Sequence, residues 1–340
     1  MNGPKAGSDE GGAAASERGV VLSGTGGAWR VRAQDGRVVE AALRGRLKRE
    51  PGSRSEKAEA RRDASDGGER MKLAVGDEVL IEPRDRGGAW AISGILPRRS
   101  RLARRVPGGG YGERIVAANV DQVVIVFAVA KPDPHPRMLD RFLVIAEANE
   151  LAARIVVNKV DLSGEADAHV RFADYERAGY PVHYTSTKRG DGLEAVRAML
   201  GGRISVFTGP SGVGKSSLLN VLFPGSNLRV GEISESVNKG RHTTVGATML
   251  PLPDEEGGYV VDTPGLREVG MWSLPADRLD RCFPELRPFL ANCRFADCMH
   301  TVEPGCAVKD AVARGDVSAL RFGSYLKLRD ELEEADFTRW

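Results

Sequence analysis

Gly209-Pro-Ser-Gly-Val-Gly-Lys-Ser216 follows an apolar run, Ile204–Phe207, and opens a segment with helical spacing, Ser217–Phe223. Strand, glycine-rich loop and helix in that order are the context in which a Walker A spelling becomes a phosphate cradle. Glycines let the backbone curl round a phosphate without Cβ clashes, so successive N–H groups can point inward. The helix N-terminus adds its partial positive charge. In such loops the lysine, here Lys215, reaches the β- and γ-phosphates, and the hydroxyl of Ser216 coordinates Mg²⁺. Gly209, Pro210, Ser211, Gly212, Val213, Gly214, Lys215, Ser216 and Ser217 are therefore read as nucleotide-binding. A glycine-rich turn with an incidental lysine would not need the strand before it or the helix after it. The loop implies an α/β domain that binds a nucleoside triphosphate, and leaves open which one.

At 340 residues the chain is long enough for two or three domains with a real core. Its formal net charge is only +2, but residues 1–114 hold 23 Lys and Arg against 16 Asp and Glu. A basic front end on a near-neutral protein suggests a local polyanion-binding surface. No apolar stretch approaches the roughly 20 residues needed to span a bilayer. The N-terminus, Met1 to Gly19, lacks the continuous apolar core of a signal peptide. A cytoplasmic protein with no membrane partner is expected. Three of the four cysteines crowd between 293 and 306, which in a reducing compartment suggests a metal more than disulfides.

Residues 1–17 are small, polar and glycine-rich, and read as a disordered tail. Across 18–112 short β-like runs alternate with turn signals: Gly19–Leu22, Trp29–Ala33, Val38–Leu43, Glu78–Glu82 and Trp90–Leu96. Five such strands suggest a small barrel of the oligonucleotide-binding (OB) type, with a charged, solvated insertion at 50–70. Arg98, Arg99, Arg101, Arg104 and Arg105 follow, then the loop Pro107–Gly112. Beside a small barrel, these arginines suit an RNA backbone better than a solvated linker. From 113 to 275 strands and helices alternate: a strand Gln122–Ala130, a helix Arg137–Asn149, a strand Arg154–Val157, helices around Ala168–Ala178 and Leu193–Leu200, and strands at Val245–Leu252 and Tyr259–Val261. This is a doubly wound α/β domain whose strand ends carry the ligand groups.

Asn158-Lys159-Val160-Asp161 ends an apolar strand, the position of the guanine-recognition signature of GTPases. A carboxylate at Asp161 can accept from guanine N1–H and the exocyclic amine. Adenine offers no such pair of donors, so a buried Asp161 would be left unpaired at a cost of a few kcal/mol. Asn158 would fix the ring edge and Lys159 cover its face. Thr185, Ser186 and Thr187 follow a short strand, where a backbone N–H can support the guanine oxygen. Asp262-Thr263-Pro264-Gly265 resembles switch II, with Asp262 holding Mg²⁺ through water and the Gly265 N–H sensing the γ-phosphate. Thr244, or failing it Thr243, would complete the magnesium shell alongside Ser216. An ATP-dependent, kinase-like P-loop enzyme is the reading Asp161 argues against.

Asn158 precedes Gly209, the reverse of an ordinary GTPase. Because the pocket is built from adjacent strand ends, a circular permutation preserves it. Switch II then runs almost directly into residues 276–340, which would let that module sense the nucleotide. Leu266 stands where a water-orienting glutamine would be, so self-catalysed hydrolysis should be slow. His242 is the nearest candidate for the catalytic role.

Cys293-x4-Cys298-x-His300-x5-Cys306 offers three thiolates and an imidazole, a set that suits tetrahedral Zn²⁺. Metal would order a segment too small for its own core. Cys282 reads as a buried small hydrophobe rather than a fifth ligand. His135, His169 and His183 read as surface or satisfied histidines, and Val317–Ala335 as a helix.

An N-terminal barrel, a permuted GTPase domain and a C-terminal Cys₃His site together resemble the RsgA (YjeQ) family of small-ribosomal-subunit-dependent GTPases. The resemblance covers residues 18 to about 330. It rests on Ala117–Gln122, Asn158–Asp161, Gly209–Ser216, Gly240–Thr244 and the Cys-x4-Cys-x-His-x5-Cys run. It implies a late-acting assembly factor of the 30S subunit that hydrolyses GTP to GDP slowly alone and faster on that subunit. It also implies contact with 16S rRNA through the barrel and zinc module, and a catalytic histidine at His242. The expectation is thus a monomer with one Zn²⁺ per subunit and Mg²⁺ bound with GTP. A nucleotide-switched RNA-binding module with negligible hydrolysis is the alternative.

Overall fold

A computed structural model describes residues 16–25, 27–44, 72–84, 89–105, 113–224, 247–253, 257–262 and 274–337. His242, Thr243, Thr244, Gly265, the 50–70 insertion and the Pro107–Gly112 loop lie outside the described residues. The chain forms two compact units, one of residues 1–73 and 77–97, the other of 74–76 and 98–340.

The first unit is a closed five-stranded barrel in the order β1-β2-β3-β5-β4. Its strands are β1 (Glu17–Thr25), β2 (Ala28–Ala33), β3 (Val38–Leu43), β4 (Glu78–Pro83) and β5 (Trp90–Ile95). Pairing of β1 with β4 closes it, Gly19 opposite Val79, and β3 runs parallel to β5, Ala42 opposite Ala91. Alternation does the sorting: Val31 and Ala33 point inward on β2 while Arg30 and Arg32 do not, because successive strand residues face opposite sides. Val21, Val31, Ala41, Val79, Ile81 and Ile92 fill the interior. This is the OB-type barrel expected from the five short runs.

The second unit opens with a hairpin that the arginine-rich composition hides, β6 (Arg101–Arg105) against β7 (Glu113–Ala118). Leu102 and Ala117, opposite each other, are buried, and they supply the apolar face that lets a basic segment pair as strand. The hairpin belongs to this unit, so the join falls at 97/98, whereas composition suggested 112/113.

The central sheet has the order β10-β9-β8-β11-β13-β12. Here β8 is Gln122–Ala128, β9 Ala152–Asn158, β10 Val182–Tyr184, β11 Ile204–Thr208, β12 Thr248–Pro251 and β13 Tyr259–Asp262. All strands run parallel except β12, which is antiparallel to β13. Every residue of β8 is buried, the mark of a strand covered on both faces. On one side lie α1 (Pro136–Ala148) and α2 (Glu165–Arg177), with Phe127 edge-on to Phe142. On the other lie α3 (Leu193–Leu200) and α4 (Lys215–Leu222), packed on Val124, Val126 and Phe207. Proline at the start of α1 suits its N-terminus, where the missing N–H has no helical partner to lose.

The C-terminal segment comprises a 3₁₀ turn (Ala276–Cys282), α5 (Arg287–Leu290), α6 (Ala307–Arg314) and α7 (Ala319–Phe337). Leu279, Phe283, Leu286, Val308, Tyr325, Leu328 and Leu332 form its core, joined by Val144 of α1. Cys282 is buried in that core, as a small hydrophobe would be. Among the described residues no helix is long and apolar enough to cross a membrane.

Candidate functional site

In a parallel sheet all carboxyl ends open on one edge, so ligand groups from distant chain positions meet there. The end of β9 brings Asn158–Asp161, β10 brings Thr185–Thr187, β11 brings Gly209–Lys215 and β13 brings Asp262. Gly209, Gly212 and Gly214 all have positive φ. A Cβ on Gly209 would lie 2.1 Å from the Val126 carbonyl oxygen, and one on Gly214 would lie 2.5 Å from Asn158 Nδ2. Both glycines are thus required by close approach as well as by backbone conformation. Lys215 is buried, and its Nζ donates to the carbonyls of Gly209 at 2.8 Å and Pro210 at 2.6 Å. The ammonium charge therefore sits inside the curl of the loop. Ser216 and Ser217 occupy the first turn of α4, Pro210 is half-buried, and Ser211 is exposed on the loop.

Sequence reasoning missed how the base side is fastened to the phosphate side. Asn158 is fully buried; its Nδ2 donates to the Val213 carbonyl at 3.0 Å, and its Oδ1 accepts from Thr185 Oγ1 at 3.2 Å. One side chain thus ties the ends of β9, β10 and the phosphate loop together. Lys159 has a left-handed backbone, and its Nζ donates to the Gly212 carbonyl at 2.6 Å and to the Lys131 carbonyl. Nothing in the spelling of the motif announces either link.

Asp161 is half-exposed rather than buried as expected, and its Oδ1 accepts from Ser186 Oγ at 2.7 Å. That hydrogen bond holds its carboxyl below the usual aspartate range, helped by Lys188 and Arg189. Ser186 is itself buried, its Oγ also accepting from the Arg189 N–H at 3.1 Å, so the carboxylate is held by a fixed partner. Thr187 is half-buried at the same strand end, and Asp262 is buried at the tip of β13.

The second cluster lies in the C-terminal segment. The ligand atoms of Cys293, Cys298, His300 and Cys306 all fall within 4.8 Å of one another. His300 Nδ1 is 3.5 Å from Cys293 Sγ and 3.3 Å from Cys306 Sγ, and those two sulfurs are 4.0 Å apart. With Zn–S near 2.3 Å and Zn–N near 2.0 Å, a tetrahedral ion needs donor separations of about this size. The donor set and its spacing are compatible with zinc. Among the described residues His300 Nε2 has no hydrogen-bond partner, and it faces Asp280 Oδ2 at 3.6 Å. This is the arrangement in which a carboxylate orients a metal-binding imidazole through its second nitrogen. Cys306 also caps α6, its Sγ accepting from the Lys309 N–H at 3.5 Å.

Of the three histidines outside the motifs, His135 is exposed at the head of α1 and His169 lies against Tyr184, its ring tilted by 41° with the centroids 3.9 Å apart. His183 differs from expectation: its Nε2 is enclosed without a hydrogen-bond partner among the described residues.

Comparison with known proteins agrees with this geometry. A model of the RsgA GTPase family matches residues 95–272. A small ribosomal subunit biogenesis GTPase RsgA of Gemmatimonas aurantiaca is 58% identical over 319 residues, 93% of this chain and 98% of its own. This chain belongs to the RsgA GTPase family. Like the family it is a GTP-hydrolysing enzyme. The RsgA protein of Shewanella oneidensis is 41% identical over 275 residues, 78% of this chain and 76% of its own. The crystal structure of YjeQ from Thermotoga maritima superposes with a TM-score of 0.72 at 34% identity, covering 94% of this chain and 99% of that one. YloQ, a circularly permuted GTPase, shares the fold at a TM-score of 0.70 and 24% identity, covering 96% and 98%. The permuted order inferred from Asn158 preceding Gly209 thus agrees with the fold shared with YloQ.

Proposed function

We propose that this protein hydrolyses GTP to GDP and phosphate with Mg²⁺ while acting as a late assembly factor of the 30S ribosomal subunit, which stimulates it. The observation that carries the guanine assignment is Asp161, kept ionised by buried Ser186 on the strand edge that also carries the phosphate loop. An ionised, pre-positioned carboxylate suits the two donors of guanine and repels the acceptor edge of adenine. Asn158 and Lys159 hold the base side against the loop, and Thr185, Ser186 and Thr187 border the ring. Gly209–Gly214 and Ser217 cradle the phosphates, and Lys215 neutralises them. Ser216 and Thr244, with Thr243 as the fallback, would hold Mg²⁺; Asp262 would do so through water, and Gly265 would sense the γ-phosphate. His242 orients the attacking water, since Leu266 cannot.

Cys293, Cys298, His300 and Cys306 would hold one Zn²⁺ per subunit, and the ion would cross-link the loop they share onto the core of the C-terminal segment. The relatives' name, small ribosomal subunit biogenesis GTPase, supports the ribosomal partner. The OB-type barrel and zinc module would meet 16S rRNA, and the protein would act in the cytoplasm as a monomer. The test is GTP turnover by the full chain with and without purified 30S subunits. Strong stimulation that His242→Ala abolishes, with GDP affinity retained, is expected. Absence of stimulation would favour a nucleotide-switched RNA-binding module, and equal competition by ATP would overturn the guanine assignment.

A further inference from the structure

The edge of the central sheet opposite the phosphate loop carries two arginines whose charge no described carboxylate balances. Arg154 is the third residue of β9, opposite Val124 of β8; Gln122 of β8 is opposite Ser205 of β11. With a side-chain period of two, Arg154, Gln122 and Ser205 share one face. Gln122 is buried; its Nε2 donates to the Met199 carbonyl and to Ser205 Oγ, both at 2.9 Å, and its Oε1 accepts from Arg154 Nε at 2.7 Å. Arg203, just before β11, donates to the same Met199 carbonyl at 2.6 Å. A neutral amide and a backbone carbonyl thus anchor two guanidinium groups side by side.

Contrast with Arg321 makes the imbalance plain. That guanidinium is buried against two carboxylates, Asp140 and Glu285. Among the described residues Arg154 and Arg203 have no carboxylate partner, and the Arg154 charge is disfavoured first by burial and then by Arg203 itself. His183 is near enough to feel Arg154: burial and that charge both lower its pKa, so it adds no third charge at neutral pH. Among the described residues one nitrogen of each guanidinium is spent on an anchor. The outer nitrogens open toward solvent, since Arg154 is half-exposed and Arg203 exposed.

We propose that Arg154 and Arg203 form a fork for one phosphate group of an RNA backbone. Planar guanidinium donors match phosphate oxygens bidentately, and an anion between them removes their mutual repulsion. The open rim fits a phosphate presented by a strand, which needs no enclosing pocket. Arg99 lies at the same end of the sheet, paired with Asp121, whose Oδ2 accepts from the Ile204 N–H at 2.8 Å. The assignment rests on the ribosomal reading above, and it gives the GTPase domain its own RNA contact, remote from the nucleotide.

The test is fluorescence anisotropy of a labelled single-stranded RNA oligonucleotide with the full chain, across a range of KCl concentrations. The double variant Arg154→Gln/Arg203→Gln should bind about fivefold more weakly, and its plot of log affinity against log salt should flatten by about 0.7, the share of one phosphate. GDP affinity should be unchanged, which shows that the variant is folded. Arg154→Lys keeps the charge and should keep most of the salt slope, an outcome that mere packing would not produce. Equal affinity and slope in wild type and double variant overturn this site alone. A wild type that binds GDP but no RNA overturns the ribosomal reading with it. Inorganic phosphate that binds the wild type and not the double variant, with RNA binding equal in both, replaces the backbone by a small anion.

Discussion

Arg321 on α7 and Asp140 on α1, 181 residues apart in the sequence, are hydrogen-bonded to each other in the protein interior. Their side chains are 1% and 0% exposed. Glu285 grips the same guanidinium from another direction, at 2.7 and 3.1 Å. Phe283 lies under it at 4.7 Å, with Tyr175 and Tyr180 at 5.3 and 5.7 Å. Burial opposes the charge on Arg321, but Asp140 and Glu285 outweigh it and hold the group protonated. The C-terminal module is thereby fastened to the helix that follows the Lys131 loop, the same loop that receives Lys159.

Arg321→Met should therefore be severe. It leaves two carboxylates buried without their cation, a loss of about 3–5 kcal/mol. Asp140→Asn keeps the shape and still leaves Glu285 to balance Arg321, so its cost should be smaller. Urea unfolding of the three proteins checks this; a loss under about 1 kcal/mol for Arg321→Met would show that the ion triad does not hold the module.

Alanine substitutions in the phosphate loop should rank by space as well as by φ. Gly209→Ala places a methyl 2.1 Å from the Val126 carbonyl oxygen and should abolish GDP binding. At Gly212 the nearest atom is Pro132 Cδ at 3.7 Å, so only the left-handed backbone resists, at about 1–2 kcal/mol. Titration with a fluorescent GDP analogue separates the two. Equal affinities would mean that the loop moves more freely than its packing indicates.

Asp280→Asn should weaken zinc without removing a ligand. His300 Nε2 faces that carboxylate at 3.6 Å, and losing such a partner lowers metal affinity about 10- to 100-fold. Competition against a chromophoric chelator measures it directly. Cys306→Ser should lose both a ligand and the α6 cap, and so melt at a lower temperature than Asp280→Asn. Wild-type chelator competition by Asp280→Asn would remove the carboxylate from the site.

The acid limb of GDP binding should move when Ser186 is replaced. Ser186 is the main cause of the lowered Asp161 pKa, so the carboxylate outlasts an ordinary aspartate as pH falls. The stability that this bond contributes is present above the ordinary carboxylate range, near 3.9, and is lost as pH drops through the lowered value. In Ser186→Ala the limb should shift to higher pH. GDP affinity measured down the acid side decides the matter; coincident limbs would show that Ser186 does not control Asp161.

The hairpin β6–β7 shows what composition concealed. Five arginines and a glycine loop read as an RNA contact and not as a strand pair, because Leu102 and Ala117 are too sparse a pattern until they face each other. The route to the C-terminal module was likewise invisible. Sequence adjacency points to the segment after Asp262, which lies outside the described residues; among the described residues one contact runs through Asp140 and Arg321.

The sequence by itself determined the parts whose chemistry is contiguous: the glycine loop, Asn158–Asp161, the Cys₃His spacing, and the permuted order that follows from their sequence positions. Such motifs are legible because a few neighbouring residues must supply a backbone shape or a ligand set together. Only the tertiary structure decided that Asn158 ties three strand ends, that Ser186 holds Asp161, that Asp280 backs His300, and that Arg321 is neutralised from α1. Each of these is a pairing of polar groups brought together by packed strands and helices. Burial makes a partner obligatory for such groups, but no local spacing says which distant residue provides it.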